Sequence, residues 1–248
     1  MTSDIHYVPN NYENVTRLLW ERFPDNWVGV FFVRSPRALL IKKLLGLVLV
    51  RGWGLAGTII NNFARYYFLK RDLYHILQKL KVNVFSDVSV NTTAAKEWLR
   101  QLKPDLILHL RSRCIFDSEV LKIPALGSVN VHHGLLPYQV GAMCDLHALS
   151  LNEDTGFSIH LMTDELDRGP IYHVERVDPP GSFPYHYIAY LEESAKKEAE
   201  VLLDWLTRLE KTGSLPSGQE NSAGRTKQLY CKTPHLKEMW RLRKKVHF

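Results

Sequence analysis

The sequence predicts an α/β fold: a mostly parallel sheet of about seven strands with helices on both faces. Three observations lead there. Short apolar runs rich in β-branched and aromatic residues recur along the chain, as in 27–33 (WVGVFFV) and 105–110 (DLILHL). Strands buried on both faces read this way. Segments with apolar residues at helical spacing alternate with these runs, and such alternation implies crossovers between parallel strands. Finally, 248 residues with 45% hydrophobic and 23% charged side chains suit one sizeable packed core.

The elements follow in order. A short strand is expected over 4–8, then a loop at Pro9, Asn10 and Asn11. Val15, Leu18, Leu19 and Phe23 recur at helical spacing over 12–23. Pro24, Asp25 and Asn26 signal a turn before the strand at 27–33. Residues 36–81 read as mostly helical, interrupted by Gly52, Gly54 and Gly57. A strand at 82–85 follows, and Asn91 is placed to cap a helix running to about 102. Pro104 leads into the strand at 105–110, and further strands are expected at 127–132, 155–163 and 170–177. A long helix over 185–211 carries the apolar stripe Ala195, Ala199, Leu202, Leu203 and Leu206. Residues 213–224 are rich in Gly, Ser and polar residues, as a linker is. The expected organisation is therefore a domain over 1–211, with a basic and apolar helical insertion at about 36–81, then a linker and basic tail over 212–248.

The formal net charge is +6, unevenly spread. Residues 34–75 hold eight basic residues against one acidic, and 225–248 repeat that balance. Clustered positive charge attracts phosphorylated substrates, nucleic acid or an anionic membrane surface. Cys114, Cys144 and Cys231 form no C-x-x-C pair, which argues against a disulfide framework and a cysteine-built zinc site. A reducing compartment is expected. The start MTSDIHYVPN lacks the basic and apolar pattern of a signal peptide. The uncharged stretch 52–64 has 13 residues, against the ~20 that a spanning helix needs. The expected location is cytoplasmic. The density of apolar and basic residues over 36–81 admits two readings: interfacial helices resting on the inner membrane surface, or a helical insertion covering the sheet.

The residues suited to chemistry lie between 128 and 171. A strand ending Asn130-Val131-His132 puts Asn130 and His132 on one face. An amide donor beside an imidazole can stabilise an oxyanion. Asp167, before Gly169 and Pro170, could orient that histidine and favour its protonated form. Each motif alone is more often structural, and Asp-x-Gly-Pro is a common turn. His132 and His133 with Asp145, His147 or His160 match no metal-ligand spacing, so no metal is expected. Nothing marks Cys144 as an activated nucleophile.

Together the pieces are more specific. Asn130 and His132, then Leu135-Leu136-Pro137, Gly141, Thr155-Gly156, His160 and Asp167-Arg168-Gly169 follow in the order Asn-x-His, Leu-Leu-Pro, Gly, Thr-Gly-x-x-x-His, Asp-x-Gly. This pattern resembles the formyltransferase family that uses 10-formyltetrahydrofolate, strongly over about 104–171 and weakly before. The resemblance implies a Rossmann-like formyltransferase fold and an N-formyltransferase enzyme. It implies Asn130 as oxyanion donor, His132 as cationic stabiliser and proton partner, and Asp167 as the group that orients His132 and helps deprotonate an attacking amine. It places folate-binding residues at Arg113, Cys114, Ile115 and Phe116 and at Thr163, Asp164, Glu165 and Leu166. Three positions depart from the family pattern: Gly134 stands for serine, His133 often for proline, and Arg111 often for glycine.

The resemblance leaves the acceptor amine open. The first loop reads PNNYEN, without the glycines of the phosphate loop of glycinamide ribonucleotide formyltransferase. The ~70 residues after Val177 look like one helix and a tail, not the further barrel of methionyl-tRNA formyltransferase, which argues against nucleic acid, although the basic tail argues for it. The favoured partner is a phosphorylated or nucleotide-linked amine such as a nucleotide-linked amino sugar. A non-catalytic folate-binding or membrane-surface protein is the alternative of another class.

Overall fold

The computed structural model describes residues 1–222 and 228–248. Residues 223–227, where the expected linker ends and the basic tail begins, lie outside the described residues. In chain order the elements are β1 (Thr2–Ser3), a 3-10 turn (Pro9–Tyr12), α1 (Glu13–Arg22), β2 (Val30–Val33), α2 (Arg37–Leu49), α3 (Trp53–Ala64) and a π turn (Arg65–Leu69). There follow α4 (Leu73–Lys79), β3 (Val84–Asp87), α5 (Thr93–Leu102), β4 (Leu106–Leu110), α6 (Ser118–Leu121), β5 (Gly127–His132) and β6 (Gln139–Gly141). Then come α7 (Cys144–Leu151), β7 (Gly156–Leu161), β8 (Ile171–Arg176), β9 (Tyr185–His186), α8 (Tyr187–Thr212), β10 (Leu229–Cys231), α9 (Leu236–Leu242) and β11 (Val246–His247).

In place of the single seven-stranded sheet of the sequence reading, the described residues form two two-stranded pairs and two larger sheets. One is parallel, in the order β1-β2-β3. The other, β4-β5-β7-β8, has one parallel pair followed by two antiparallel ones. The reason for the division is the length of β1: it stops after two residues, where the Asp4 carboxylate accepts from the backbone N–H of Ile5 and Ser35 at 2.7 and 2.9 Å. Two bonds still tie the sheets together. The Leu110 N–H donates to the Met1 carbonyl at 2.8 Å, and the Met1 amine donates to the Leu108 carbonyl at 2.6 Å. The last pair is antiparallel because no helix lies between β7 and β8, and a parallel return requires a crossover of roughly a dozen residues.

The apolar run at β2 is buried on both faces, as read. Val30 and Phe32 pack with Leu73 and Leu77 of α4, and Phe31 and Val33 with Ala95 and Leu99 of α5. Each such side chain contributes about 1.5–3 kcal/mol by burial. The larger core lies on one face of the four-stranded sheet. There Leu110, Val129, Val131, Phe157 and Ile159 meet Val15 and Leu19 of α1, Leu55 and Ile59 of α3, and Tyr190, Leu202 and Trp205 of α8.

Two local expectations change. Thr92, not Asn91, caps α5, accepting from the Ala95 N–H at 3.3 Å; the Asn91 side chain ties down 115–117 instead, donating to Ile115 O and accepting from Asp117 N–H. The expected tail also folds back. β10 pairs with β6 and β11 with β9, while Met239, Leu242, Val246 and Phe248 enter the main core. Basic residues over 232–245 masked this apolar set, which is spaced for a single helical turn and a terminal strand.

Candidate functional site

The candidate residues collect at one end of β5. Alternation puts Ser128, Asn130 and His132 on one face of the strand. The register then places His109 of β4 and His160 of β7 directly opposite Asn130, one on each side.

This arrangement fixes the Asn130 amide. His160 Nδ1 lies 2.8 Å from the Leu161 carbonyl, which can only accept. Nδ1 therefore carries the proton, and Nε2 accepts from Asn130 Nδ2–H at 3.1 Å. On the other side His109 Nδ1–H donates to Asn130 Oδ1 at 2.7 Å, and its Nε2 accepts from the Ser112 hydroxyl at 2.6 Å. Both assignments require neutral rings. Burial supplies that: it pushes each imidazole down to about 4, against the pull of the Asn130 oxygen on His109, and for His160 with the help of nearby His132 and despite Asp167. The other Asn130 N–H has no hydrogen-bond partner among the described residues.

His132 and Asp167 are buried, while Asn130 is half-buried. His132 Nε2–H donates to the Gln139 carbonyl at 2.7 Å. That turns Nδ1 toward Asp167, whose Oδ2 lies 3.6 Å away. The same carboxylate accepts from the Gly141 N–H at 2.9 Å and stands 3.7 Å from His160 Nε2. Asp167 adopts a left-handed conformation, φ 53°. Asn221 holds it there, donating to the carbonyls of Asp167 and Gly169 at 2.9 and 2.8 Å. The glycine of Asp-x-Gly has a steric cause: a Cβ at Gly169 would sit 2.0 Å from the Leu161 carbonyl oxygen. Asn130, His132 and Asp167, separated by up to 37 positions in sequence, thus share His160 as a common neighbour.

The two expected folate stretches border the same end of the sheet. Cys114 and Met162 both pack on the cluster that holds Phe116. Phe116 is a core residue, edge-on to His109 at 5.4 Å, so it wedges the site from below and presents no free face. Arg113 and Ile115 are exposed, as are Thr163, Asp164, Glu165 and Leu166. The Cys144 thiol is buried, and its hydrogen bond with Cys231 together with burial raises its pKa, which makes it inert. Among the described residues, no three His, Cys, Asp or Glu side chains are grouped to hold a metal. A cavity of about 520 Å3 lies elsewhere, between the 3-10 turn, α1 and α8.

A second polar cluster, which the sequence did not announce, occupies the opposite face. Arg111 Nη2 donates to Glu198 Oε1 of α8 at 2.8 Å, and His133 Nε2 lies 2.9 Å from the same oxygen. Tyr12 and Ser194 also donate to Glu198. Asp145 stands 3.9 Å from Arg111 Nη1 and accepts from Tyr187 at 2.9 Å. Burial alone would raise the Glu198 carboxyl, but Arg111 and His133 outweigh it and hold it below the usual carboxylate range. Two of the three departures from the family pattern therefore end on one carboxylate. The third is steric: a Cβ at Gly134 would come within 2.7 Å of His132 Nε2 and 2.9 Å of Cys144 Cβ, so serine does not fit.

Residues 68–179 match the formyl transferase family. Methionyl-tRNA formyltransferase of Thermotoga maritima is 32% identical over 154 residues, 61% of this chain and 48% of its own length. Bifunctional polymyxin resistance protein ArnA of Wigglesworthia glossinidia brevipalpis is 38% identical over 95 residues, 38% of this chain and 14% of that protein. In fold, phosphoribosylglycinamide formyltransferase from Streptococcus pneumoniae superposes with a TM-score of 0.56 at 16% identity, covering 84% of this chain and 96% of that one. Over residues 68–179 the chain is thus similar to the formyl transferase family. It spans about half the length of the methionyl-tRNA formyltransferases it matches.

Proposed function

We propose that the chain transfers a formyl group from 10-formyltetrahydrofolate to a primary amine, with a nucleotide-linked amino sugar as acceptor. The single observation carrying this reading is the convergence of Asn130, His132 and Asp167 inside the segment that matches the family. 10-Formyltetrahydrofolate is a substrate here and supplies the formyl carbon. The spare Asn130 N–H meets the negative charge that develops on the formyl oxygen during attack; such a preorganised donor supplies about 2.7–4 kcal/mol. His132 stabilises the same charge and passes on a proton. Asp167, held by Gly141 and Asn221, orients His132 and takes up the proton that the amine sheds. Arg113 and Ile115, with 163–166, flank the folate. The acceptor class rests on the glycine-free first loop and on the basic segments able to meet phosphates.

Formylation of methionyl-tRNA is the second reading, favoured by the relatives of that name. The test supplies 10-formyltetrahydrofolate with nucleotide-linked amino sugars, glycinamide ribonucleotide or methionyl-tRNA, and follows tetrahydrofolate release. Release with a sugar nucleotide is expected. Release only with methionyl-tRNA or glycinamide ribonucleotide would move the acceptor and keep the chemistry. Folate binding with no release on any amine would reduce the protein to a binding module.

A further inference from the structure

The inner side of the insertion is settled by packing: Leu47, Leu55, Ala56 and Ile59 lie in the main core with Met239 and Leu242 of α9. The outer side is unusual. Along α2, Ile41, Leu45, Val48 and Leu49 fall at i, i+4, i+7 and i+8, one continuous helix face. That face points to solvent, with Ile41 58%, Leu45 60% and Leu49 69% exposed. The face continues at both ends of the α2–α3 hairpin. Trp53, 62% exposed, begins α3 directly after the turn. At the other end Arg37 stacks over Tyr67 at 4.6 Å, which brings the π turn and its exposed Phe68 and Leu69 beside the start of α2.

Most basic residues of the segment make no ion pair, and Lys42, one residue from Ile41, is exposed. Of the eight basic residues over 34–75, Arg65 pairs with Glu13 at 2.5 Å. The one acidic residue of the segment, Asp72, is taken by His75 at 2.7 Å. Among the described residues, no ion pair forms at Arg34, Arg37, Lys42, Lys43, Arg51, Lys70 or Arg71. An apolar stripe with cations at its margins has the chemistry of a helix lying in a bilayer interface, where lysine and arginine stems reach up past the acyl boundary to lipid phosphates. A second copy of the chain is a poorer occupant, since it would bring the same unpaired cations against these.

We propose that the outer face of the α2–α3 hairpin, with the π turn, docks on an anionic lipid surface, holding the formyltransferase domain at the membrane. This inference does not depend on the identity of the acceptor.

The test is co-sedimentation of the full chain with phosphatidylcholine vesicles, with and without phosphatidylglycerol, at low and at physiological salt. Pelleting that requires the anionic lipid and weakens with salt is expected. The double variant I41E/L45E changes only exposed positions and should reduce pelleting at least about tenfold, with its circular dichroism and melting temperature unchanged. K42E should give an intermediate loss. No pelleting with anionic vesicles at low salt, or pelleting of I41E/L45E equal to the parent, overturns the proposal. A concentration-dependent dimer that I41E/L45E abolishes, without lipid binding, overturns it as well and assigns the face to a second copy.

Discussion

The two polar clusters at the C-terminal end of β5 sit one residue apart in sequence and on opposite faces of the sheet, yet they are built differently. Around Asn130 the groups are imidazoles, an amide and one carboxylate, and the imidazole nitrogens of His132 and His160 stand 3.6 and 3.7 Å from Asp167. Around Glu198 the groups are a guanidinium and a carboxylate in direct contact at 2.8 Å, with further donors closing on the same oxygens. The first cluster keeps hydrogen-bonding capacity unspent, as a site that must meet a reacting group does. The second spends its charges on one another and ties β4, β5, the first loop and α8 together, while Arg111 Nε and Asp145 Oδ2 stay buried without a hydrogen-bond partner. The chemistry proposed for His132 thus rests on one face, and the anchoring of its strand end on the other.

Substitutions should separate these roles. H132A is expected to lower formyl transfer by about 10²–10⁴-fold, with little change in melting temperature; the readout is tetrahydrofolate release beside thermal unfolding. N130A should follow with about 10²–10³-fold in kcat. E198A should do the reverse: leaving Arg111 buried and unpaired costs about 3–5 kcal/mol, read by urea unfolding. If E198A instead kept its stability and lost transfer, the division between the faces would be wrong.

Acid sharpens the contrast. Burial depresses His6 to about 3 and His109 and His160 to about 4, and lowers His133 as well. The rings of His6, His109 and His160 stay neutral in the fold and become protonated in the unfolded chain near pH 6.5. Stability should therefore be full above about pH 6.5 and fall as the pH drops toward 4, by on the order of 3 kcal/mol per fully depressed ring. The Glu198 carboxylate, held low, adds its own loss only below the usual glutamate range of about 4.5. Urea midpoints across this range measure it; a flat profile between pH 6.5 and 5 would mean that the rings are already charged. The smallest effect is expected at Ser112. S112A removes the donor to His109 Nε2 and loosens the Asn130 amide, at about 1 kcal/mol or roughly fivefold in transfer rate.

The residues at 130, 132 and 167 were legible because their spacing forms a pattern, and β5 was bounded correctly at both ends. His109 was not legible as a site residue. In DLILHL it reads as one polar position in a buried run, and only the pairing of β4 with β5 sets it against Asn130. Glu198 was hidden within a long amphipathic helix rich in charged residues, where one glutamate turned inward is indistinguishable from its exposed neighbours. The departures at 111, 133 and 134 were visible but unexplained, since their cause is a carboxylate 65 positions downstream of His133 and the space around Cys144.

By itself the sequence determined the local matter: the alternation of strands and helices, the burial of β2 on both faces, and the residue types gathered between 128 and 171. These depend on periodicity and composition, which a chain carries along its length. Only the tertiary structure decided the division into separate sheets, the return of 228–248 into the core, the neutral rings that orient Asn130, and the face of α2 left open to solvent. Each of these depends on which distant segments meet, and the free energy of such a meeting comes from packing and pairing between them rather than from either segment alone.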